Sequence, residues 1–220
     1  MSAVQRSPGA PPPLQPSPPQ PPQPPRLPGW PAMLATVTGV AALSALFTFV
    51  PWWHAHGLYV RDAVRLDGQW WRVLTAMWVH LDWRHYLSDV AATAGLLLLA
   101  GRAARVREML LVLLVCGLAV QVALLRMPEV GWYGGLSGAT HGLALWAALR
   151  LLQAPGWSRV IGVATCVIVL GKVWIEQSWL AAIVFDPSWG FGVVRGAHAA
   201  GAVAGLACWL LQEWWGQRRR

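Results

Sequence analysis

The chain has 220 residues, 56% of them hydrophobic and only 12% charged, where an average soluble domain carries about 25% charged residues. With a mean hydropathy of +0.45, this excludes an ordinary soluble domain and places the chain among membrane proteins. The formal net charge of +8 does not point to nucleic acid, because most of it lies outside the apolar runs and follows a topological pattern.

Residues 1–31 hold 13 of the 17 prolines, in runs such as Pro11-Pro12-Pro13. Such a segment has almost nothing apolar to bury and is expected to be a disordered or polyproline-II tail. It lacks the short apolar core and small-residue cleavage site of a signal peptide. Apolar runs then follow at about 32–50, 84–101, 107–125, 136–152, 159–183 and 194–213. A membrane span needs about 20 residues, so six helical spans are expected, the second and fourth being short or interrupted by polar residues. Cys116, Cys166 and Cys208 all lie in these runs without metal-ligand spacing and read as small core residues.

Arginines in the connections set the orientation. With the N-terminus inside, Arg6, Arg26, Arg102, Arg105, Arg107, Arg150, Arg159 and Arg218–Arg220 fall on the inner side, opposed by Glu108 and Glu213. The outer connections carry Arg61, Arg65, Arg72, Arg84, Arg126 and Arg195, nearly balanced by Asp62, Asp67, Asp82, Glu129 and Asp186. Both termini are therefore expected on the cytoplasmic side. Spans two, four and six then enter from the outer face with His85, Ser137 and His198 at similar depth.

Polar groups in a membrane span need partners, since burying one without a hydrogen bond costs roughly 2–7 kcal/mol by transfer scales. Ser137 lies in Gly135-Leu136-Ser137-Gly138 at a helix start, where it is either a helix cap or a nucleophile beside free backbone N–H groups. His198 lies in Ala197-His198-x-x-Gly201-x-x-x-Gly205, whose glycines make a small face for close helix packing. It is the favoured base, and His141, four residues after Ser137, is the other candidate. His80, His85 and Asp89, or His85, Asp89, His141 and His198 together, form a rival reading as metal ligands. Lys172 and Glu176 are an i,i+4 pair inside span five, read either as a self-neutralising ion pair or as part of the site.

Together these pieces resemble the rhomboid family of intramembrane serine proteases. The matching pieces are Trp71-Arg72 in a tryptophan-rich first outer loop, His80 followed by His85-x-x-x-Asp89, Gly135-Leu136-Ser137-Gly138, and the Ala197–Gly205 stretch. The resemblance implies a Ser–His dyad without a third acid, with Ser137 as nucleophile and His198 as general base. It also implies an oxyanion hole from the backbone N–H at the serine and from the positions of His85 and Asp89, with Leu136 beside them among the oxyanion or substrate-binding residues. Asp89 departs from the family's usual asparagine. An ionised aspartate accepts hydrogen bonds and cannot donate them, so Asp89 must be protonated, orient His85, or face elsewhere. His141 stands where many rhomboids have a tyrosine that packs on the catalytic histidine. Leu136-Ser137-Gly138-x-x-His141-Gly142 and Lys172-Val-Trp-Ile-Glu176-Gln177 look most like the rhombosortase branch, associated with cutting C-terminal Gly-Gly sorting tails from exported bacterial proteins.

The expectation is thus an all-α membrane protein. It comprises a disordered Pro-rich tail (1–31), a six-transmembrane-helix rhomboid-like bundle (32–215) and a basic tail (216–220). It would lie in a bacterial inner membrane with its site opening to the periplasmic side. Catalytic residues would be Ser137 and His198, with His141, Lys172 and Glu176 as candidate accessory residues. No cofactor, metal or nucleic acid is implied. The partners would be the lipid bilayer and membrane-anchored substrates with C-terminal or single-span segments. The alternatives are a general rhomboid with other substrates and an inactive rhomboid-like protein that binds membrane clients. A transporter or channel would need a polar path across the membrane, whereas the polar residues cluster on the outer half.

Overall fold

The computed structural model describes residues 27–218. The expected tail lies outside the described residues up to position 26, as do Arg219 and Arg220 at the other end. Among the described residues the order is α1 (Trp30–Phe49), α2 (Pro51–Gly57), β1 (Tyr59–Val60), α3 (Arg61–Arg65), α4 (Arg72–Thr75), a 3-10 turn (Ala76–Trp78), α5 (Trp83–Ala100), α6 (Val106–Leu124), β2 (Trp132–Tyr133), α7 (Ser137–Leu152), α8 (Trp157–Glu176), β3 (Val184–Asp186), β4 (Phe191–Val193) and α9 (Arg195–Arg218).

Local chemistry accounts for the helix ends. Pro31 occupies the first turn of α1, where its missing N–H costs nothing. Val50, held extended by the following Pro51, stops that helix. Asp82 caps α5 by accepting a hydrogen bond from the His85 backbone N–H at 2.8 Å. The largest departure from expectation is in α8. The apolar run extends to residue 183, but the helix ends at Glu176, because Gln177 turns left-handed at φ 48°. Residues 184–193 then fold back as an antiparallel β3–β4 hairpin pairing Val184 with Val193.

Among the described residues three helices, α1, α6 and α8, are long and apolar enough to cross a membrane. Their outward faces are lipid-like rather than solvent-like: Val160, Val163, Val167, Ile168 and Leu170 of α8 are all exposed. A soluble protein rarely leaves so continuous an apolar surface bare. α7 is the opposite case. It is packed by α5, α6, α8 and α9 and buries Gly138, Ala139, Thr140, Leu143, Ala144, Trp146 and Ala147. A helix buried around its whole circumference is the centre of a bundle.

The α7–α9 contact depends on glycine. A Cβ built on Gly201 would fall on the Gly138 carbonyl oxygen, and one on Gly205 on the Gly142 carbonyl oxygen. The two backbones therefore meet with no side chain between them. This contact brings the first turn of α9 against the first turn of α7.

The expected first outer loop is folded rather than irregular. β1 pairs antiparallel with β2, matching Tyr59 to Tyr133. Arg72 is buried and donates to the Ala55 and Leu58 carbonyls at 3.0 and 2.6 Å, and Trp71 donates to the His56 carbonyl at 3.1 Å. The Trp71-Arg72 pair thus closes the loop on itself by satisfying carbonyls that no helix or strand serves.

Candidate active site

A cavity of about 310 Å³ opens at the end of the bundle where α5, α7 and α9 begin and α8 ends. Its lining includes Ser137, His198, His85, Asp89, Lys172 and Glu176, walled by the aromatic side chains of Trp132, Trp189 and Phe191.

Ser137 is the first residue of α7 and His198 lies in the first turn of α9. The His198 Nε2 stands 3.1 Å from the Ser137 Oγ. That is hydrogen-bond distance, and it suits proton transfer from the hydroxyl to the ring. The other ring nitrogen, Nδ1, lies 2.8 Å from the Glu176 Oε2. A carboxylate facing Nδ1 requires a proton there, which leaves Nε2 as the acceptor facing Ser137. Glu176 also bonds Lys172 through its second oxygen, and Arg195 donates to the Glu176 carbonyl at 3.1 Å.

A third group, an acid, does meet the histidine. The resemblance implies no acid at that position, and the pairing joins the last residue of one helix to the first turn of the next across the intervening hairpin. Only the early end of α8 and the tight α9 packing bring them together.

His141 is on the same helix as Ser137, but its ring does not face the hydroxyl. It stacks on His198 with ring centroids 4.2 Å apart and planes 12° from parallel, and its Nδ1 donates to the Ser137 carbonyl at 2.7 Å. His141 thus buttresses the His198 ring.

Asp89 stands where a donor is expected. Its Oδ2 accepts from the Ser137 backbone N–H at 3.0 Å and lies 3.3 Å from His85 Nε2 and 3.4 Å from His80 Nε2. The Leu81 N–H donates to His85 Nδ1 at 3.3 Å, so the His85 proton sits on Nε2, the ring nitrogen nearer Asp89. His80 Nδ1 faces the Thr48 hydroxyl at 3.1 Å. One carboxylate oxygen therefore takes the Ser137 N–H with both ring nitrogens close by. Asp89 faces the site rather than away from it. His80, His85 and Asp89 do meet, but no group of three His, Cys, Asp or Glu side chains among the described residues has the arrangement of metal ligands.

Leu136 precedes Ser137 in the motif. Its side chain is fully buried in the apolar core and does not line the cavity, as its apolar character dictates. The neighbour that shapes the site is Gly135. Its φ is +129°, and a Cβ there would meet His85 Nε2 at 2.9 Å and Asp89 Oδ2 at 3.0 Å, so only glycine fits.

The β3–β4 hairpin closes one side. Phe191 and Trp189 lie against the His85 ring at 5.2 and 6.1 Å, and Arg84 sits over Trp189 at 5.7 Å while donating to the Ser188 carbonyl. No spacing in the sequence indicates these aromatic contacts. Asp186 also lines the cavity. Hydrogen bonds from the Ser188 hydroxyl and backbone N–H hold its carboxyl below the usual carboxylate range, which keeps it charged at neutral pH.

The Rhomboid domain model matches residues 67–213, most of the chain and all of the helices that build the cavity. This chain belongs to the rhomboid family. It is an integral membrane protein of a family of intramembrane serine proteases. No curated protein matches this rhomboid chain significantly.

Proposed function

We propose that this rhomboid is an active intramembrane serine endopeptidase. The observation that carries the reading is the 3.1 Å contact between His198 Nε2 and Ser137 Oγ inside a cavity. Ser137 Oγ attacks the scissile carbonyl carbon while His198 Nε2 takes the hydroxyl proton. The tetrahedral intermediate collapses as His198 returns that proton to the leaving amide nitrogen, giving an ester on Ser137 and a free amine. Water, deprotonated by the same ring, then releases the new carboxyl terminus.

The six long helices are taken as six spans, with both termini cytoplasmic and the cavity facing the periplasm of a bacterial inner membrane. The arginine distribution supports this orientation. The length of α7 supports a site below the membrane surface. Its 16 residues extend about 24 Å, short of a hydrocarbon core about 30 Å thick. Water then reaches Ser137 only through a cavity lined by protein.

The Lys172–Gln177 and Leu136–Gly142 segments support the narrower reading of a rhombosortase acting on C-terminal Gly-Gly tails. The test is reconstitution in lipid vesicles with two substrates, one with a Gly-Gly tail and one generic single-span rhomboid substrate. Preferential cleavage of the Gly-Gly substrate is expected. Equal cleavage of both supports a general rhomboid and removes the narrower reading.

One observation favours a non-cleaving, client-binding protein: Asp89 already takes the Ser137 N–H that an oxyanion needs. In an active enzyme the oxyanion must displace Asp89 Oδ2. Two unit negative charges 4 Å apart repel by about 4 kcal/mol at an effective dielectric constant of 20. Asp89→Asn removes that repulsion and adds an amide donor. Removing one such donor elsewhere costs about 10²–10³ in kcat, so a gain of at least about tenfold is expected here. The measurement is kcat in vesicles beside a thermal melt. Complete loss of activity in a variant that melts like the wild type would mean that the charge is required to hold His80 and His85.

A further inference from the structure

We infer that Glu176 is a positioning residue for His198 and that Lys172, the only lysine in the sequence, sets which way the end of the Glu176 side chain is turned. The inference rests on the proposed reading of Ser137 and His198 as nucleophile and base.

The Glu176 side chain is 12% exposed and that of His198 6%, so their 2.8 Å bond is shielded from water. One carboxylate oxygen faces His198 Nδ1 and the other faces Lys172 Nζ. The groups around the His198 ring are Glu176 and Lys172 from α8, His141 from α7, and Ser137. Arg195, on the ring's own helix, is committed to the Glu176 carbonyl. Among these only Glu176 meets Nδ1. Without an acceptor there, the neutral ring is free to carry its proton on Nε2, where it cannot take one from Ser137.

Lys172 adds a constraint that distinguishes this role from simple ion pairing. An ammonium donates only, and so requires an oxygen. In Glu176→Gln the amide oxygen is drawn to Lys172, and the NH₂ group turns to His198 Nδ1. Nδ1 must then accept, which forces the proton onto Nε2. The amide thus locks the inactive tautomer. Glu176→Ala imposes no such lock. A role as packing or charge-neutral glue gives the opposite order, because glutamine keeps the volume and the hydrogen bonds that alanine loses.

The experiment measures kcat and KM in lipid vesicles for wild type, E176Q, E176A, E176D, K172M and the K172M/E176Q double variant, with S137A as reference and thermal melts throughout. The analogous acid-to-amide change in a Ser-His-Asp triad lowers kcat about 10⁴-fold through the wrong tautomer. E176Q is expected to lose about 10³-fold or more in kcat with KM little changed, and E176A roughly 10- to 100-fold. E176D, which keeps a carboxylate, retains more activity than either. K172M alone falls by about threefold, since Glu176 loses one hydrogen bond but keeps Nδ1. The decisive variant is the double one. With no ammonium to claim the amide oxygen, the substituted side chain is free to turn that oxygen to Nδ1, and activity recovers at least to the E176A level. E176Q as active as E176A or more so, or a folded double variant no better than E176Q, overturns the inference. If S137A still cleaves at the wild-type rate, the underlying reading of Ser137 fails instead, and the two failures remain distinct.

Discussion

Ser137→Ala and His198→Ala each abolish peptide-bond cleavage, and the double variant is no worse than either single one. The reason is the shared proton. With Oγ and Nε2 3.1 Å apart, the hydroxyl is a nucleophile only while the ring accepts its proton, so the two residues act as a unit. In such units single losses reach about 10⁶-fold in kcat and do not multiply. Ser137→Ala removes one oxygen atom at a helix end that uses no side-chain cap, so membrane insertion and the melting profile stay as in wild type. His141→Ala behaves differently. It removes the ring stacked on His198 but not the proton acceptor, and it leaves a reduced, measurable rate. A His141 variant that is inert beside an active His198 variant would exchange their roles.

Gly201→Val lowers activity by another route. A Cβ on Gly201 would overlap the Gly138 carbonyl oxygen, and no rotamer relieves a clash between a Cβ and backbone. α9 must move away from α7, carrying His198 from Ser137. Overpacking of this kind costs about 1–3 kcal/mol where side chains can adjust, and more is expected where only backbones meet. A misplacement of about 1 Å costs on the order of 10²-fold in rate. The expected result is a lower melting temperature in detergent and at least about a hundredfold loss of cleavage. Gly171→Ala is the matched control. It lies mid-helix in α8 with nothing within 4 Å of its Cβ position, and alanine there is tolerated. Equal effects of the two substitutions would detach the glycine contact from the site's geometry.

Hydropathy and arginine placement make the long helices legible, because a lipid-facing surface leaves a continuous apolar record in the sequence. The glycines at 201 and 205 are legible for a similar reason: small residues at helical spacing mark a close approach. The end of α8 is not. Trp179, Leu180, Ala181, Ala182 and Ile183 are apolar enough to continue a span, and the left-handed turn at Gln177 carries no sequence signal as clear as a glycine or proline. That one boundary hides the acid. In a span five that runs to residue 183, Glu176 falls inside the helix, level with Ser137, as a group that could orient substrate. With the helix ending at Glu176, the carboxylate sits beside His198.

The oxyanion region is legible by residue and not by bonding. His85 and Asp89 share a face by their i,i+4 spacing, but spacing gives neither tautomer nor partner. That Asp89 takes the Ser137 N–H depends on how deeply α5 packs against α7. The motif draws Leu136 into the site by position alone, and its apolar side chain belongs to the core.

The most direct test is covalent labelling of the wild-type protein in lipid vesicles with a fluorophosphonate probe, followed by peptide mapping. A hydroxyl activated by His198 forms a stable phosphonyl ester, and an ordinary helix-end serine does not. The expected result is one label per chain, on Ser137, absent from Ser137→Ala and from His198→Ala. Labelling of Ser137→Ala to the same extent as wild type, or a wild-type protein that cleaves substrate while its Ser137 stays unlabelled, would contradict the assignment of Ser137 as the nucleophile.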